Sequence, residues 1–375
     1  MVEWKKLVTV SDVLYGYPFE SSLFSEDSAY MPLIRIRDVK PAKASTYYTG
    51  KFNEAYRIKK GDILVGMDGE FNLGKWEDRD GLLNQRVLKL KGKDGCCIDG
   101  YLFHYMGPVF KKIEKETPGG SVKHLSAKVI NSILIPIPSI EEQTRIVGIL
   151  DTFTASIDNL KEQITQRRKQ YEYYRDQLLD LEGKEGVEMK YITDVAKSFT
   201  GLTYKPEHVS DSGTLVLRSS NIKEDVLSFD DNVYVQMLIP ERAKVHENDI
   251  LICVRNGSKR LVGKSAMITK EADGMAFGAF MTILRSFAIN SKFLFYVWQS
   301  DEVRKQYKGD EAMPIAQITA KDFQRIIIPL PPLSEQQRIV SILDTFEASI
   351  RNLEAQLKQR EKQYEYYRNK LLTFE

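Results

Sequence analysis

Apolar residues recur at alternating spacings of four and three along two stretches of the chain, 146–181 and 339–374. This spacing predicts that each stretch is an α-helix with one apolar seam, as in coiled coils. The first seam consists of Ile146, Leu150, Phe153, Ile157, Leu160, Ile164, Arg167, Tyr171, Tyr174, Leu178 and Leu181. The second seam consists of Ile339, Leu343, Phe346, Ile350, Leu353, Leu357, Arg360, Tyr364, Tyr367, Leu371 and Phe374. Each seam lasts about five heptads, which predicts a packed helix pair.

The two helical stretches are copies of one sequence. Residues 136–179 and 329–372 align without a gap, and about two-thirds of their positions are identical. Because an internal duplication gives the chain two matching seams, we expect the helices to pair antiparallel within one chain. Pairing of each helix with another subunit is the alternative.

Both helices carry recognisable start or end signals. Each follows a proline-rich segment, and Ser139 and Ser334 are the predicted N-caps. Gly183 and Gly186 predict the end of the first helix.

The string KQYEYYR occurs at 169–175 and again at 362–368. Aromatic residues between cations can form a stacking platform for single-stranded nucleic acid. The heptad instead places two tyrosines of each copy on the seam: Tyr171 and Tyr174, and Tyr364 and Tyr367. We therefore expect these tyrosines to be buried and to set the helix separation, whereas Tyr173 and Tyr366 lie off the seam.

The sequences before the first helix and between the two helices predict two mixed α/β domains. Short β-branched runs alternate with clusters of Gly, Asn and Asp, as in KKGDILVGMDG at 59–69 and HENDILICVRNG at 246–257. An earlier strand in each domain, LIRIRDVK or LVLRSSNIK, is expected to carry a basic or polar edge. The order of these landmarks is shared, although the two domain sequences differ.

The predicted fold class is therefore α+β, with two tandem mixed α/β domains and two long helices in an antiparallel coiled coil of pseudo-two-fold character. The predicted boundaries are 1–138 for the first domain, 139–183 for the first helix, 184–331 for the second domain and 332–375 for the second helix.

Composition narrows the function classes. Lys and Arg number 54 against 52 Asp and Glu, and this balance neither indicates nor excludes nucleic-acid binding, which needs only a local basic surface. The three cysteines and four histidines lack the spacing of a disulfide framework or a metal site. No apolar run has the length of a membrane span, and MVEWKKLVTV does not predict a signal peptide. A cytoplasmic protein with reduced thiols is expected.

Four segments of the chain resemble one known family. IPIPSIEEQTRIVGILD and IPLPPLSEQQRIVSILD, each leading a heptad helix, resemble the paired repeat regions of type I restriction–modification specificity subunits. GDILVGMDGEFN at 61–72 and GGSVKHLS at 119–126 resemble the target-recognition domains of that family. The resemblance covers nearly the whole chain, and the duplicated proline–helix element is its most specific part.

This resemblance implies a division of labour. Each recognition domain reads one half of a split double-stranded DNA sequence in the major groove, and the helices set the gap between the half-sites. The helices also dock two copies of a modification subunit, which carries S-adenosylmethionine and methylates adenine. A restriction subunit uses ATP and Mg to cleave DNA. The chain itself is expected to be non-catalytic and to bind no cofactor or metal.

Two properties of the sequence agree with such a subunit. No glycine-rich nucleotide loop, (N/D)PP(Y/F) string or nucleophilic triad stands out. The seam from Ile146 to Leu181 spans 36 residues, or about 54 Å at 1.5 Å per residue. One DNA turn is about 34–36 Å, so this length suits a spacer between two half-sites.

Side chains that match base edges and phosphates are the DNA-contact candidates. Those of the first domain are Arg35, Arg37, Asp68, Glu70, Asn72, Asn84, Gln85, Arg86 and Lys123. Those of the second domain are Arg218, Ser220, Arg255, Asn256, Ser258, Lys259 and Arg260. Arg suits guanine, Asn suits adenine, acids suit the cytosine amino group, and Lys suits phosphate. An ordinary exposed strand face or a solvated hairpin tip is the alternative at these positions.

Four helix residues are candidates for other contacts. Asp151 and Asp344 lie beside the seam near each helix start and are the expected contacts to the modification subunit. Arg167 and Arg360 interrupt the seams at equivalent positions, which favours a snorkelling or ion-paired register device over contact with an inserted partner.

The sequence is compatible with three other functions. They are a coiled-coil scaffold with two protein-binding domains, a specificity subunit of a related bifunctional restriction–modification system, and an enzyme with an unrecognised site.

Overall fold

The computed structural model describes residues 2–117, 123–308 and 317–374. The chain forms two compact units, of which the first comprises Met1–Lys161 with Ala355–Glu375 and the second comprises Glu162–Glu354. Each unit therefore contains one α/β domain and part of both long helices. The four-segment division proposed from the sequence, with boundaries at the helix ends, stays a prediction.

The first unit holds eleven strands and four short or medium helices among its described residues. The strands are β1 (Glu3–Lys6), β2 (Ser11–Tyr15), β3 (Phe24–Ser25), β4 (Met31–Ile34), β5 (Tyr47–Tyr48), β6 (Arg57–Ile58), β7 (Ile63–Gly66), β8 (Leu73–Lys75), β9 (Gly81–Leu83), β10 (Val87–Gly92) and β11 (Leu134–Ile137). The helices are α1 (Leu7–Val10), α2 (Ile36–Val39), α3 (Asp99–Glu116) and α4 (Ala127–Ser132). The sheets have the strand orders β1-β11, β2-β10-β7-β8 and β3-β5-β4-β9-β6.

The second unit repeats much of this plan. Its strands are β12 (Glu188–Tyr191), β13 (Ala196–Thr200), β14 (Val209–Ser210), β15 (Thr214–Leu217), β16 (Ile222–Lys223), β17 (Val226–Leu227), β18 (Tyr234–Val235), β19 (Ile250–Cys253), β20 (Ser265–Met267), β21 (Ala276–Phe277), β22 (Met281–Ser286) and β23 (Ile327–Leu330). Its helices are α6 (Ser291–Gln299), α7 (Asp301–Lys308) and α8 (Ala320–Phe323). The sheets have the orders β12-β23, β13-β22-β19-β20, β14-β18-β15-β21 and β16-β17. The sheet β13-β22-β19-β20 is the counterpart of β2-β10-β7-β8.

The shared aspartate of GDIL and NDIL explains why both domains keep this motif. Asp62 lies 2.7 Å from the ammonium of Lys89, a residue of the central strand β10. Asp249 lies 2.7 Å from the guanidinium of Arg285 in the corresponding strand β22, where Arg285 lies two positions after the counterpart of Lys89. In each domain the acid follows the turn and pairs with the strand beside it, so the motif fixes the start of a fully buried strand.

The two long helices, α5 (Ile140–Leu179) and α9 (Leu333–Leu371), pack antiparallel as predicted. In the first unit, Phe153 stacks on Tyr367 with ring centroids 5.2 Å apart. In the second unit, Tyr174 stacks on Phe346 with centroids 5.4 Å apart. These positions are equivalent in the duplicated sequence, so one contact occurs twice with the roles of the helices exchanged.

The main core of each unit is built on the start of one long helix and the end of the other. The first core takes Ile146, Leu150, Tyr364 and Leu371 from the helices, and Leu372 from just after α9. The second core takes Tyr171, Leu178, Leu179, Ile339 and Leu343. Burying one such side chain contributes about 1.5–3 kcal/mol, so the helices are part of each domain's stability and not an appendage to it.

Burial of the seam tyrosines was predicted correctly for only one residue of each pair. Tyr171 and Tyr364 pack against the cores, and burial raises the pKa of both hydroxyls. For Tyr174 and Tyr367 the prediction was wrong, because 45% and 40% of their surface is exposed. Each of these two rings stacks on a phenylalanine of the other helix and makes an edge contact, with centroids 5.3 Å apart, with the tyrosine that precedes it in the chain.

The seam arginines snorkel along aromatic rings. The guanidinium of Arg167 lies 5.9 Å from the ring centroid of Phe346, and that of Arg360 lies 5.7 Å from Phe153. A cation over an aromatic face is attracted by its quadrupole, so each arginine adds a fixed contact between the helices. This geometry supports the interpretation of a register device.

The predicted helix ends are partly right. Ser139 accepts a hydrogen bond from the backbone N–H of Glu142, which confirms it as the cap of α5. The same prediction was wrong for Ser334, because α9 already begins at Leu333 and the carbonyl of Pro332 accepts the first helical N–H bonds. The last seam residues, Leu181 and Phe374, lie beyond the helix ends.

A buried glutamine near the start of each long helix holds the adjoining domain. Gln143 accepts from the N–H of Ile98 at 3.0 Å and donates to the carbonyls of Cys96 and Pro138. Gln336 repeats this, accepting from Asn290 at 2.9 Å and donating to Pro331. Both side chains are almost fully buried. The repeated EQ of the proline–helix element is therefore a clamp between the helix and the segment that starts α3 or α6.

We predict that Gln143→Ala lowers the free energy of unfolding by about 1–3 kcal/mol, because the buried N–H of Ile98 loses its acceptor. Gln336→Ala should have a similar cost. Urea denaturation measures both. Gln356→Ala, at an exposed position of α9, is the matched control and should change stability by less than about 0.5 kcal/mol. Equal costs at Gln143 and Gln356 would contradict the clamp.

Candidate nucleic-acid interface

The first unit contains an open groove of about 570 Å³. It is lined by Arg35, Ile36, Arg37, Lys40, Pro41, Glu70, Asn72, Asn84, Gln85, Arg86 and Val87. Seven of these side chains belong to the DNA-contact candidates, although they come from three separate sequence segments. The fold therefore brings most of the first-domain candidates to one concave surface, and it adds Lys40, which the sequence reasoning did not single out.

The groove-lining arginines do not lie on a strand face, so that part of the prediction was wrong. Strand β4 ends at Ile34, and the N–H of Arg35 donates to the buried carboxylate of Asp38 at 2.9 Å. This bond starts the short helix α2, which carries Arg37. The guanidinium of Arg37 donates to the hydroxyls of Ser45 and Thr46. Arg35 and Arg37 thus project from a turn that one buried acid holds.

Asp68 and Lys123 are bound within the first domain instead of lining the groove. Asp68 lies 3.2 Å from the guanidinium of Arg86 and hydrogen-bonds the ring of His124. Lys123 donates to the carbonyl of Glu114. Asp68 therefore holds Arg86 at the groove and is itself engaged by two partners. Residues 119–122 of the GGSVKHLS segment lie outside the described residues.

The equivalent turn of the second domain has the same design. Strand β15 ends at Leu217, and the N–H of Arg218 donates to the buried side chain of Asn221 at 2.9 Å. Arg218 also lies 3.0 Å from Asp231. Arg218 thus caps a short 3₁₀ turn, Ser219–Asn221, that contains Ser220, and the predicted strand face was wrong here too.

The loop 255–260 follows β19 and packs on this turn. Asn256 donates to the hydroxyl of Ser219 at 3.0 Å and accepts from the N–H of Ser258 at 2.9 Å. Both ends of its amide are therefore engaged within the chain, which makes Asn256 a support of the loop. The exposed cations of the loop are Arg255, Lys259 and Arg260.

Two residues of this second surface were not predicted from the sequence. Phe280 is 58% exposed, and the guanidinium of Arg255 lies 5.3 Å from its ring centroid. Lys264 donates to the carbonyl of Ser219 at 3.0 Å, and partial burial lowers the pKa of its ammonium. An aromatic residue two positions after a glycine, in FGAF at 277–280, was the available signal for Phe280.

The predicted partner-docking acids hold the domains to the helices. In the first unit, Asp151 accepts from Nε2 of the buried His104 at 2.7 Å, and Nδ1 of His104 accepts from the hydroxyl of Tyr364 at 3.0 Å. One neutral imidazole thus joins α3 to both long helices. Burial lowers the pKa of His104 and outweighs the opposing effect of Asp151, while the nearby cations Lys75 and Arg368 lower it further.

Tyrosine replaces the histidine in the second unit. The hydroxyl of Tyr296 donates to Asp344, and Lys292 lies 2.7 Å from the same carboxylate. Burial raises the pKa of Tyr296. Asp151 and Asp344 keep 47% and 40% of their side-chain surface exposed, so each acid has a second side that faces solvent.

Two further properties bear on the kind of site. Among the described residues, no group of three or more His, Cys, Asp and Glu side chains has the geometry of a metal site. Within the same part of the chain, no helix combines the length and apolar character that crossing a bilayer requires.

Comparison with known proteins identifies the family. The type I restriction modification DNA specificity domain matches residues 1–167 and again 184–361. This chain belongs to the type I restriction–modification DNA specificity family. The specificity subunit of the Escherichia coli type I restriction enzyme EcoBI is 26% identical over 383 residues, covering 93% of this chain and 80% of that protein. The EcoR124I/EcoR124II specificity subunit of Escherichia coli is 29% identical over 351 residues, covering 87% and 84%.

Solved structures share the fold of this specificity-family chain. The crystal structure of a type I restriction–modification S subunit from M. genitalium matches with a TM-score of 0.60 and 16% identity, covering 100% of this chain and 97% of that one. A chain from a structural study of complex assembly and conformational transition in the type I system matches with a TM-score of 0.59 and 17% identity, covering 99% and 97%. The family resemblance and the fold class inferred from the sequence are confirmed.

We predict that His104→Tyr removes an acid-sensitive part of the stability. The folded chain keeps His104 neutral, whereas the unfolded chain takes up a proton near the ordinary pKa of about 6.5. Its contribution is therefore complete above that pH and is lost as the pH falls below it. Tyrosine, as at Tyr296, keeps a donor for the aspartate without titrating in this range.

Unfolding free energies of the wild type and His104→Tyr between about pH 7.5 and pH 5, on either side of the ordinary histidine pKa, measure the effect. The wild type should lose more stability than the variant on acidification. The reciprocal change, Tyr296→His, should add acid sensitivity to the second unit. Identical pH slopes for the wild type and His104→Tyr would show that His104 does not contribute.

Proposed function

We propose that this chain is the DNA-reading subunit of a type I restriction–modification complex, and that each α/β domain reads one half of a bipartite target. The observation that carries the proposal is the double match of the DNA specificity domain, once for each half of the chain. The names of the curated relatives, which are specificity subunits of type I restriction enzymes, support the same conclusion.

The first domain offers base-reading chemistry in its groove. Asn84, Gln85 and Arg86 line one side, and their side chains can donate to or accept from adenine and guanine edges in the major groove. Glu70 and Asn72 line the same groove and are joined by a 3.2 Å hydrogen bond. Arg35, Arg37 and Lys40 supply the cations that phosphate contact needs.

The second domain offers a more cationic surface. Arg255, Lys259 and Arg260 project from a loop that Asn256 braces against Ser219. Because these cations are exposed and Arg255 lies over the ring of Phe280, they suit contact with a phosphate backbone and with guanine. We propose that the two domains read different half-sites, since their surfaces present different groups.

The helices are proposed to act as the spacer and as the docking element for partner subunits. Helix α5 has 40 residues and is therefore about 60 Å long. Its similarity to α9, with about two-thirds of aligned positions identical, suits two copies of one partner, the modification subunit. The solvent-facing sides of Asp151 and Asp344 are the proposed contacts, in addition to their bonds within the chain.

The rest of the reaction is assigned to the partners. S-adenosylmethionine would be held by the modification subunit, and ATP with Mg by a restriction subunit, so this chain contributes binding and positioning but no catalytic residue and no metal ligand. We propose a cytoplasmic location. A scaffold without a DNA role would instead give a complex whose DNA affinity lacks the steep salt dependence of phosphate contacts.

We predict that the two reading surfaces can be altered one at a time. Gln85→Ala with Arg86→Ala should relax one half-site, because each bidentate base contact contributes about 1–3 kcal/mol of discrimination. Arg255→Ala with Arg260→Ala should relax or weaken recognition of the other half. Methylation mapping in a host that expresses the variant with its modification subunit reads out both halves.

The control for this experiment is Lys358→Ala, an exposed helix position, which should leave the methylated sequence unchanged. A change in both halves from either double variant would contradict the assignment of one half-site to each domain. Unchanged methylation in both would remove these residues from the reading surface.

We also predict that the helices set the gap between the half-sites. Deleting one heptad from the middle of each helix, in register, preserves the seam and shortens the pair by about 10 Å. The methylated target should keep both half-sites and lose about three base pairs of spacer. An unchanged gap in a folded variant would rule out the spacer role.

A further inference from the structure

The duplication creates a pairing problem for the two long helices. Nine of the eleven seam positions are identical in α5 and α9. Each unit's core also receives the same helix end, since KQYEYYR is repeated without change. The apolar contacts alone would therefore allow α5 to pair with α5 of a second chain and α9 with α9. Something other than the seam must favour the pairing of α5 with α9 over the pairing of like helices.

Among the positions that differ between the two copies, two that lie beside the seam carry opposite charges in α5 and α9. In the first unit, the ammonium of Lys161 on α5 lies 4.0 Å from the carboxylate of Glu361 on α9. In the second unit, the guanidinium of Arg168 on α5 lies 2.6 Å from the carboxylate of Glu354 on α9. Both cross-helix ion pairs thus take their cation from α5 and their acid from α9.

The same four residues are copies of one another with the charge reversed. In the alignment of the duplicated sequences, Lys161 corresponds to Glu354 and Arg168 corresponds to Glu361. An antiparallel pair of two α5 helices in this register would place Lys161 opposite Arg168. A pair of two α9 helices would place Glu354 opposite Glu361. Both like pairings would bring two repulsive contacts where α5 with α9 has two attractive ones.

We propose that this charge reversal is a pairing code, which favours the pairing of α5 with α9 and disfavours the pairing of α5 with α5 and of α9 with α9 between two chains. A protein that keeps two recognition domains on one closed pair presents a single combination of reading surfaces. The code concerns assembly of the chain with itself, so it holds whether or not the domains read DNA.

Exposed ion pairs stabilise little individually, so the code acts through the difference between pairings and not through total stability. Two exchanged chains contain one α5–α5 and one α9–α9 pairing in place of two α5–α9 pairings. Four attractive contacts would become four repulsive ones. Differences of this size shift a dimerisation constant by about tenfold to a hundredfold at low ionic strength, and salt screens them.

The double exchange Lys161→Glu with Glu361→Lys tests the code. Within one chain it reverses the polarity of one ion pair, so both cross-helix pairs stay attractive. In a helix-exchanged dimer the new acid at position 161 faces Arg168, and the new cation at position 361 faces Glu354, so the like pairings become attractive as well. The variant therefore keeps both ion pairs of the monomer, and its charges no longer disfavour the pairing of α5 with α5 or of α9 with α9.

The isolated full chain is unfolded in urea and refolded at several protein concentrations, so that the helices can pair within a chain or between chains. Light scattering coupled to size-exclusion chromatography then measures the fraction of dimer. We expect the exchange variant to form dimers at least about tenfold more readily than the wild type at low salt, and the difference to shrink at high salt. The matched control is Lys169→Glu with Glu365→Lys, which exchanges charges at exposed positions outside these ion pairs. It should behave as the wild type does.

An exchange variant that folds, as judged by circular dichroism, and shows the wild-type dimerisation constant would overturn the code. Equal dimerisation by the control and the exchange variant would do the same. Should the first variant fail to fold, Arg168→Glu with Glu354→Lys carries the same expectation for the other ion pair, although Arg168 also contacts Glu224 at 2.6 Å. No DNA or partner subunit is involved, so failure here leaves the proposed function untouched.

Discussion

The antiparallel contact between α5 and α9 is the interaction on which both units depend. The start of one long helix and the end of the other supply part of the buried apolar side chains of each domain core. Ile146 and Leu150 complete the first core, and Ile339 and Leu343 complete the second. Because helix pairing and domain folding share these residues, a change in the seam reaches the recognition domains as well. This coupling explains why the helices stayed alike while the domain sequences diverged.

The buried polar contacts between helix and domain divide into a constant and a variable part. Gln143 and Gln336 make the same clamp in both units, since a buried backbone N–H needs the same acceptor wherever it occurs. The second contact differs, because His104 in the first unit is replaced by Tyr296 in the second. Both donate to an aspartate near the start of the long helix. The chain thus keeps the geometry of the attachment while changing its response to protons.

Patterns with a fixed period were predictable from the sequence, whereas features set by single side chains were not. The seam predicted both long helices, and Gly61 and Asn248, with φ of 91° and 70°, marked the turns before β7 and β19. The end of β4 was missed because the buried Asp38 captures the N–H of Arg35 and starts a turn. Residue types predicted most of the first-domain groove, but only contacts reveal that Asp68 and Asn256 serve as supports.

This duplicated chain must meet two opposing structural requirements. Equal helices are needed because each end must fit an equivalent core, and this keeps KQYEYYR unchanged in both copies. Unequal partners are needed because two equal helices would also allow α5 to pair with α5, and α9 with α9, of a neighbouring chain. A reversal of charge at two positions beside the seam satisfies both demands, since it leaves the seam intact and changes only which helix is preferred. The unchanged string and the reversed charges are therefore two parts of one solution.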